Sequence, residues 1–323
     1  MRERVKKFIG WILWCFAKHS RVLRGLLRPL GVRTRLEWYQ KRTGRIFLAG
    51  RKSAIITNIG KNYLSFELFW KGWGYYEPIT ILLLSELLRD KDVFFDIGAN
   101  MGYYSICAAS ERSNLRIIAF EPHPKLFHIL QENSRVNGYN ITCENAAVSA
   151  RTGSAKFYVH KSNMRGSLLK LPGMVGKISV PVVSLDDYIR ERNYSGRFLV
   201  KIDVEGHECE LLRGAAETLK LHKPEMILEA TGDYDAETLG LLREHGYRIY
   251  TITNTGLQET ETLTLDRSRE YFFLNNLVTT RPSAEVKGLF EKIRDRVESI
   301  DIKQTSLYHD VCKRREAEKA REK

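Results

Sequence analysis

Apolar residues in this chain gather in short dense runs rather than along one repeating stripe. Val93–Asp96, Arg116–Glu121, Ile141–Asn145, Phe198–Asp203 and Glu225–Glu229 are rich in Val, Ile, Leu and Phe and nearly continuous, the pattern of strands buried on both faces. Segments with helical spacing fall between them, at Tyr103–Ser110, Pro124–Asn137, about 208–221 and 236–245. Two more strand-like runs, near 247–253 and 271–279, end the series. Such alternation predicts an α/β fold with a mostly parallel seven-stranded sheet and helices on both faces. Upstream, the aromatic-rich stretch from Phe66 to Tyr76 ends at Glu77-Pro78, and Ile79–Leu88 is apolar enough for a buried helix. An insertion at 149–184 separates the third and fourth strands and holds two strand candidates, Ala155–Val159 and Ile178–Val183. No internal repeat or low-complexity linker is visible.

Charge divides the chain. Residues 1–61 carry sixteen Lys and Arg against Glu3 and Glu37, whereas the rest carries thirty-six against thirty-seven acids. The whole excess behind the net charge of +13 is therefore an N-terminal property, and the body is nearly neutral. Within that segment Phe8–Ala17 is an apolar block between Lys6-Lys7 and Lys18. At about half the roughly 20 residues a spanning helix needs, it is too short to cross a bilayer. It lacks a small-residue cleavage site, and Arg21, Arg24 and Arg28 follow, which disfavours a signal peptide. Two readings stay open: a basic helix in a membrane interface through residues 1–35, or an amphipathic helix docked on the protein's own body. Nucleic acid fits less well, because the apolar residues form a block instead of interleaving with the charges. The expected organisation is a basic helical segment at 1–61, a catalytic-type domain at 62–282 and a charged helical tail at 283–323. Five dispersed cysteines, with no CxxC pair, argue against a disulfide framework and fit a reducing, cytoplasmic setting.

The most informative stretch is Val93-Phe-Phe-Asp96-Ile-Gly98-Ala-Asn100-Met-Gly102-Tyr103, a strand ending in an acid, a glycine turn, then a helix. In an open α/β sheet, ligands bind at the carboxyl ends of such strands. A nicotinamide loop would show GxGxxG, and no third glycine follows here. Asp96 at the strand end would repel a pyrophosphate but suits a ligand with an ammonium group. Glu121, at the end of the next strand, can accept both hydroxyls of a ribose. The two acids together favour S-adenosylmethionine over NAD. The expected donor-binding set is Asp96, Gly98, Asn100, Gly102, Tyr103, Glu121 and Asn145. The competing reading makes the glycines an ordinary turn, Asp96 and Glu121 helix caps, and Asn145 a turn residue.

These residues resemble the FkbM-type methyltransferases. The likeness runs through Tyr76-Glu77-Pro78, Asp96–Tyr104, Ala119-Phe-Glu-Pro122, Asn145–Val148, Val183–Tyr188, Val200–Glu208, Leu212-Arg-Gly214 and Pro224–Glu229, in consistent order over about residues 76–230. It implies a Rossmann-like class I methyltransferase domain using S-adenosylmethionine as methyl donor, with hydroxyls of natural products, sugars or glycolipids as acceptors. It leaves residues 1–60 unaddressed.

Catalytic candidates cluster after the fourth strand. Alternation puts Lys201, Asp203 and Glu205 on one side if the strand persists, and Glu229 ends the fifth strand. Asp203, Glu205 and Glu229 can form a carboxylate cluster that binds Mg²⁺ or holds acceptor hydroxyls directly. Glu205 and Glu208 can instead cap the next helix, and His207 is either a general base or a surface turn residue. The Asn/Asp-Pro-Pro-aromatic segment usual for methylation of base amines is missing at 203–206. The expected function is a cytoplasmic O-methyltransferase acting on a glycan, glycolipid or natural-product-like hydroxyl, peripheral on the inner face of a membrane if the first reading of residues 1–35 holds. A nucleic-acid or protein methyltransferase gripping substrate with the basic segment, and a non-catalytic S-adenosylmethionine-binding protein, are the alternatives.

Overall fold

The computed structural model describes residues 43–49, 52–59, 62–160, 166–229, 236–261 and 275–300. The apolar block at 8–17 and the rest of residues 1–42 lie outside them, as does the tail from 301. The central sheet has eight strands among the described residues. They are β3 (Val93–Ile97), β4 (Arg116–Phe120), β5 (Ile141–Glu144), β10 (Phe198–Ile202), β11 (Glu225–Glu229), β12 (Arg248–Ile252), β13 (Leu257–Thr260) and β14 (Asn275–Thr279). Their order is β13-β12-β14-β11-β10-β3-β4-β5. From β11 to β5 every pairing is parallel, while β14 runs antiparallel to both β11 and β12.

The expected seven strands are present, and β13 corrects the number to eight in a mixed sheet. It escapes the hydrophobic pattern because it is a polar edge strand, Leu-Gln-Glu-Thr, folded back by a turn in which Thr253 bonds the backbone of Gly256. An edge strand needs no apolar run, since one side of it faces water.

Alternation along each strand sends side chains to two separate cores. Phe94, Ile117, Ala119, Leu199, Ile227 and Leu277 face one side. There they meet α2 (Pro78–Leu87), α3 (Tyr103–Glu111), α4 (Pro124–Asn137) and the C-terminal helices α9 (Ser283–Glu291) and α10 (Arg294–Glu298). Phe95, Ile118, Phe120, Val200, Ile202 and Leu228 face the other. That side is covered by α5 (Leu185–Glu191), α6 (Glu208–Arg213), α7 (Ala216–Leu221) and α8 (Ala236–Glu244). The helix expected over 208–221 is two helices, broken at Gly214. A Cβ on Gly214 would fall 2.1 Å from the Ser149 carbonyl oxygen, so the insertion packs directly against the backbone at the break.

The insertion forms its own small sheet, β6 (Ala147–Val148), β7 (Gly153–His160), β8 (Gly166–Ser167) and β9 (Met174–Val183), in the order β6-β9-β7-β8. Strands β1 (Gly44–Phe47) and β2 (Ser53–Ile56) pair antiparallel as a hairpin, with Ile46, Ala54, Ile56 and Ile59 buried in the first core beside α1 (Tyr63–Lys71). This hairpin carries the folded body upstream of the division expected at residue 61. Likewise Val286, Leu289, Phe290, Ile293 and Val297 of the expected tail are core residues. No helix among the described residues is long and apolar enough to cross a membrane.

Asn133 on α4 ties the hairpin to the glycine loop. Its Oδ1 accepts from Thr57 N at 2.8 Å, and its Nδ2 donates to the Met101 carbonyl at 2.9 Å, with no solvent exposure. Replacing Asn133 with the near-isosteric Leu strands both backbone groups. At about 1–3 kcal/mol for each buried group left unpaired, Asn133→Leu should lose about 2–5 kcal/mol in urea unfolding. A loss below about 1 kcal/mol would mean that this bridge does not hold the loop.

Candidate active site

The carboxyl ends of β3, β4, β10 and β11 open into a cavity of about 330 Å³. Its floor is the turn after β3. Gly98 has φ +83°, and a Cβ there would sit 1.8 Å from the Asp203 carbonyl oxygen. Only glycine lets these two strand ends cross so closely. Gly98 N and Ala99 N both donate to the Phe120 carbonyl at 3.0 and 2.9 Å, and Asp203 N donates to the Ile97 carbonyl at 3.0 Å. Gly102, φ +85°, starts α3 where a Cβ would meet Leu130 at 2.5 Å. Asn100 takes the left-handed conformation at φ 53°, which Asn tolerates better than most residues. Its side-chain oxygen accepts from Asn62 Nδ2 at 3.0 Å.

Glu121 clamps this loop. One carboxylate oxygen accepts from Asn100 N at 2.8 Å and the other from His123 N at 2.7 Å. Burial pushes its pKa up to about 7 against those two bonds. It lines the cavity, and each oxygen keeps acceptor capacity for a hydroxyl. Asp96 behaves differently. It lies beneath the loop, off the cavity lining, with Oδ2 accepting from both the backbone N (2.9 Å) and the hydroxyl (2.6 Å) of Ser105 in α3. Burial raises its pKa to about 6. The Asn145 amide donates to the carbonyls of Glu121 and Pro122 at 2.8 and 3.2 Å, bracing the β4 end, while Ala146 and Ala147 beside it line the cavity. Tyr103 is buried in the core, edge-to-face with Tyr76 and Tyr104, and is also off the cavity lining. Of the expected donor set, Gly98, Asn100 and Glu121 therefore reach the cavity wall, whereas Asp96, Gly102, Tyr103 and Asn145 shape it from behind.

The strongest electrostatic feature surrounds Lys201. Its register opposite Asp96 and Ile227 places it in mid-sheet, essentially without exposure. Nζ lies 3.9 Å from Asp203 Oδ2, 4.0 Å from Glu229 Oε2 and 5.2 Å from the Tyr104 ring centre. Burial alone would lower its pKa, but the charges of Asp203, Glu77, Glu229 and Asp96 outweigh that and raise it. Glu229 is raised well above the ordinary range, first by burial and then by Asp203 and Glu77. Glu77 is also raised by burial, although Lys201 and a bond from Tyr104 Oη oppose it. Glu77 was not among the residues expected at the site. Its signal was Glu77-Pro78, with Pro at the first position of α2 and Glu77 in the left-handed conformation at φ 44°.

The strand expected to carry Lys201, Asp203 and Glu205 in alternation ends at Ile202. The chain then turns through Glu205 (φ 53°) and Gly206 (φ 94°), so Glu205 reaches the cavity from a loop. Its carbonyl accepts from Ser167 Oγ of β8 at 2.9 Å, fixing the small sheet as a roof. Glu208 caps this turn through Gly206 N at 3.0 Å. His207 lines the cavity with Nε2 2.8 Å from Ser149 Oγ, and burial lowers its pKa. No group of three or more His, Cys, Asp or Glu suited to a metal is found among the described residues, and the cation between Asp203 and Glu229 is the lysine ammonium.

The raised pKa of Glu121 has a thermodynamic sign. The folded protein holds this proton more tightly than the unfolded chain, so the group's stabilisation is present at low pH and lost as pH climbs through about 7. His123 and His207, both lowered, pull the other way and do so equally in a variant. The stability difference between the natural chain and Glu121→Gln should therefore shift against the natural chain by about 3 kcal/mol from about pH 5 to about pH 8. A difference constant with pH in urea unfolding would show that Glu121 titrates normally.

Residues 96–249 match the family model described as the methyltransferase FkbM domain. The chain is 31% identical over 198 residues to the 31-O-demethyl-FK506 methyltransferase FkbM of Streptomyces tacrolimicus, covering 50% of this chain and 75% of that protein. It is 30% identical over 144 residues to the hexuronic acid methyltransferase AglP of Haloferax volcanii, covering 45% of this chain and 58% of that one. With the 2-O-methyltransferase NoeI of Sinorhizobium fredii it shares 28% over 159 residues, 42% of this chain and 63% of the relative. A solved structure of methyltransferase FkbM from Methylobacillus flagellatus aligns with a TM-score of 0.38 at 19% identity, over 59% of this chain and 44% of that one. The chain belongs to the FkbM family of S-adenosylmethionine-dependent methyltransferases.

Proposed function

We propose that this chain transfers a methyl group from S-adenosylmethionine to a hydroxyl oxygen of a glycan, glycolipid or natural-product-like acceptor. The observation that carries the reading is the division of one cavity into two kinds of carboxylate. Glu121 at the β4 end is held by two backbone amides, and Asp203 and Glu229 at the β10 and β11 ends gather around Lys201.

The donor fits the chain's own groups. The glycine floor leaves room against the backbone, and Glu121 offers acceptor oxygens to a diol. Glu77, Asp203 and Glu229 outnumber the single Lys201 ammonium, so the wall near them favours a further positive charge. When bound there, S-adenosylmethionine supplies an electrophilic methyl group on a sulfonium.

Asp203 accepts the acceptor's hydroxyl and aims its oxygen. Glu229, whose raised pKa makes it the stronger base, takes the proton as the new C–O bond forms and the C–S bond breaks. The site loses the sulfonium charge in that step, and protonation of Glu229 removes one negative charge to match. Lys201 is positioned to keep the two carboxylates together between turnovers. The relatives' named activities, on a hexuronic acid, at a 2-O position and at a 31-O position, are all compatible with an oxygen acceptor.

Transfer of labelled methyl groups to a panel of uronic acids, neutral sugars and polyketide alcohols tests the reading. Asp203→Asn and Glu229→Gln should each lower the rate by about 10²–10⁴-fold while affinity for S-adenosylhomocysteine stays within a few-fold. The natural enzyme's rate should rise with pH through the raised pKa of Glu229, and Glu229→Gln should lose that limb. Undiminished turnover in both variants would remove these residues from the chemistry.

A further inference from the structure

Four large apolar side chains stand out as exposed among the described residues: Tyr63 at 52%, Leu169 at 41%, Val175 at 69% and Leu221 at 71%. Scattered singly, such residues need no explanation. Three of these four, however, belong to α1 and to the stretch from β8 into β9, both of which contribute to the cavity wall. Tyr63 opens α1 and lines the cavity itself. Leu169 lies in the connection from β8 to β9 and Val175 at the start of β9, together the tip of the roof. Leu168 beside them lines the cavity, and Leu169 comes within 3.4 Å of the Cβ position of Gly206.

The composition of this tip is specific. Leu168-Leu-Lys-Leu-Pro-Gly-Met-Val-Gly-Lys177 contains no acid, and Lys170, Pro172 and Lys177 are exposed with Leu169 and Val175, while Leu171 and Met174 are half-buried. The tip is therefore an apolar knuckle flanked by two ammonium groups. A second copy of the same tip would be repelled by like charge, and an apolar protein groove would leave the lysines unmatched. Apolar side chains beside lysines suit the boundary of an anionic bilayer, where the former enter the acyl edge and the latter meet head groups. The sequence repeats this chemistry independently at its start, where Phe8–Ala17 is set among Lys and Arg.

We propose that the β8–β9 tip docks on an anionic lipid surface and holds the cavity mouth, between Tyr63 and Leu169, against it. The acceptor hydroxyl is then presented by an amphiphile anchored in that surface. The docking stands by itself, and only the statement about the acceptor rests on the methyltransferase reading above.

The test uses the full chain with vesicles of phosphatidylcholine alone or mixed with phosphatidylglycerol, read by co-sedimentation. Binding should require the anionic lipid. The variants Leu169→Asp/Val175→Asp and Lys170→Glu/Lys177→Glu should each weaken it by about tenfold or more. Affinity for S-adenosylhomocysteine, measured by calorimetry on the same variants, should stay unchanged, which separates lost docking from a lost donor site. Should a variant fail to fold, Val175→Trp keeps the test open: its added emission should move to the blue on contact with anionic vesicles. Unaltered vesicle binding by the folded tip variants, equal binding to neutral vesicles, or no blue shift would each overturn the proposal.

Discussion

The site depends on one close approach, that of the backbone of Gly98 to the carbonyl of Asp203. Parallel strands β3 and β10 are held in register through Ile97 and Ile202, and just beyond them the two chains must part or collide. They neither part nor collide, because residue 98 has no Cβ and adopts a positive φ. The Asp203 amide then bonds back to Ile97, while Gly98 and Ala99 bond across to Phe120. Three strand ends are drawn together by these bonds, and the acids that follow β4 and β10, Glu121 and Asp203, are brought to one cavity. Lengthening the 98–203 approach by even an ångström would move Asp203 relative to Glu121, and both ends of the cavity with it.

A second constraint follows from the first. Concentrating Glu77, Asp96, Glu121 and Glu229 at the carboxyl ends of the central strands places several carboxyl groups in a region poor in water, where ionisation is opposed by burial. The chain answers with one lysine inside the sheet, with backbone amides on Glu121, and with the Ser105 amide and hydroxyl on Asp96. Carboxyl groups still outnumber the one ammonium there. Left-handed backbone at Glu77 and Glu205, uncommon for a long side chain, shows the fold bending to bring carboxylates inward.

Much of this was legible in the order of residues. Strands buried on both faces write themselves as continuous apolar runs, so the five parallel strands and α4 were readable within a residue or two. The polar edge strand β13 and the break at Gly214 were not, because one needs no apolar run and the other answers to a contact with Ser149, distant in sequence. At the site, Glu121 was expected from an acid ending a strand beside a glycine turn, and it stands on the cavity wall while two backbone amides bond it. Asp96 carried the same signal, and the structure gives it the capping bond to Ser105 that competed with ligand binding in the sequence. Glu77 and Lys201 were the hardest to read. Glu77 joins the cluster from a helix start about twenty residues before the glycine loop, and a lysine in mid-strand reads as a solvent-facing alternation until its neighbours are known.

S-adenosylmethionine is proposed to bind in the cavity between Glu121 and Asp203. Calorimetric titration of the purified chain with S-adenosylhomocysteine, repeated on Glu121→Ala, tests it most directly. The account predicts one site per chain in the micromolar range, weakened about a hundredfold in the variant as the diol loses a charged acceptor. Equal affinity in both proteins, or no binding by a folded natural chain, would contradict it.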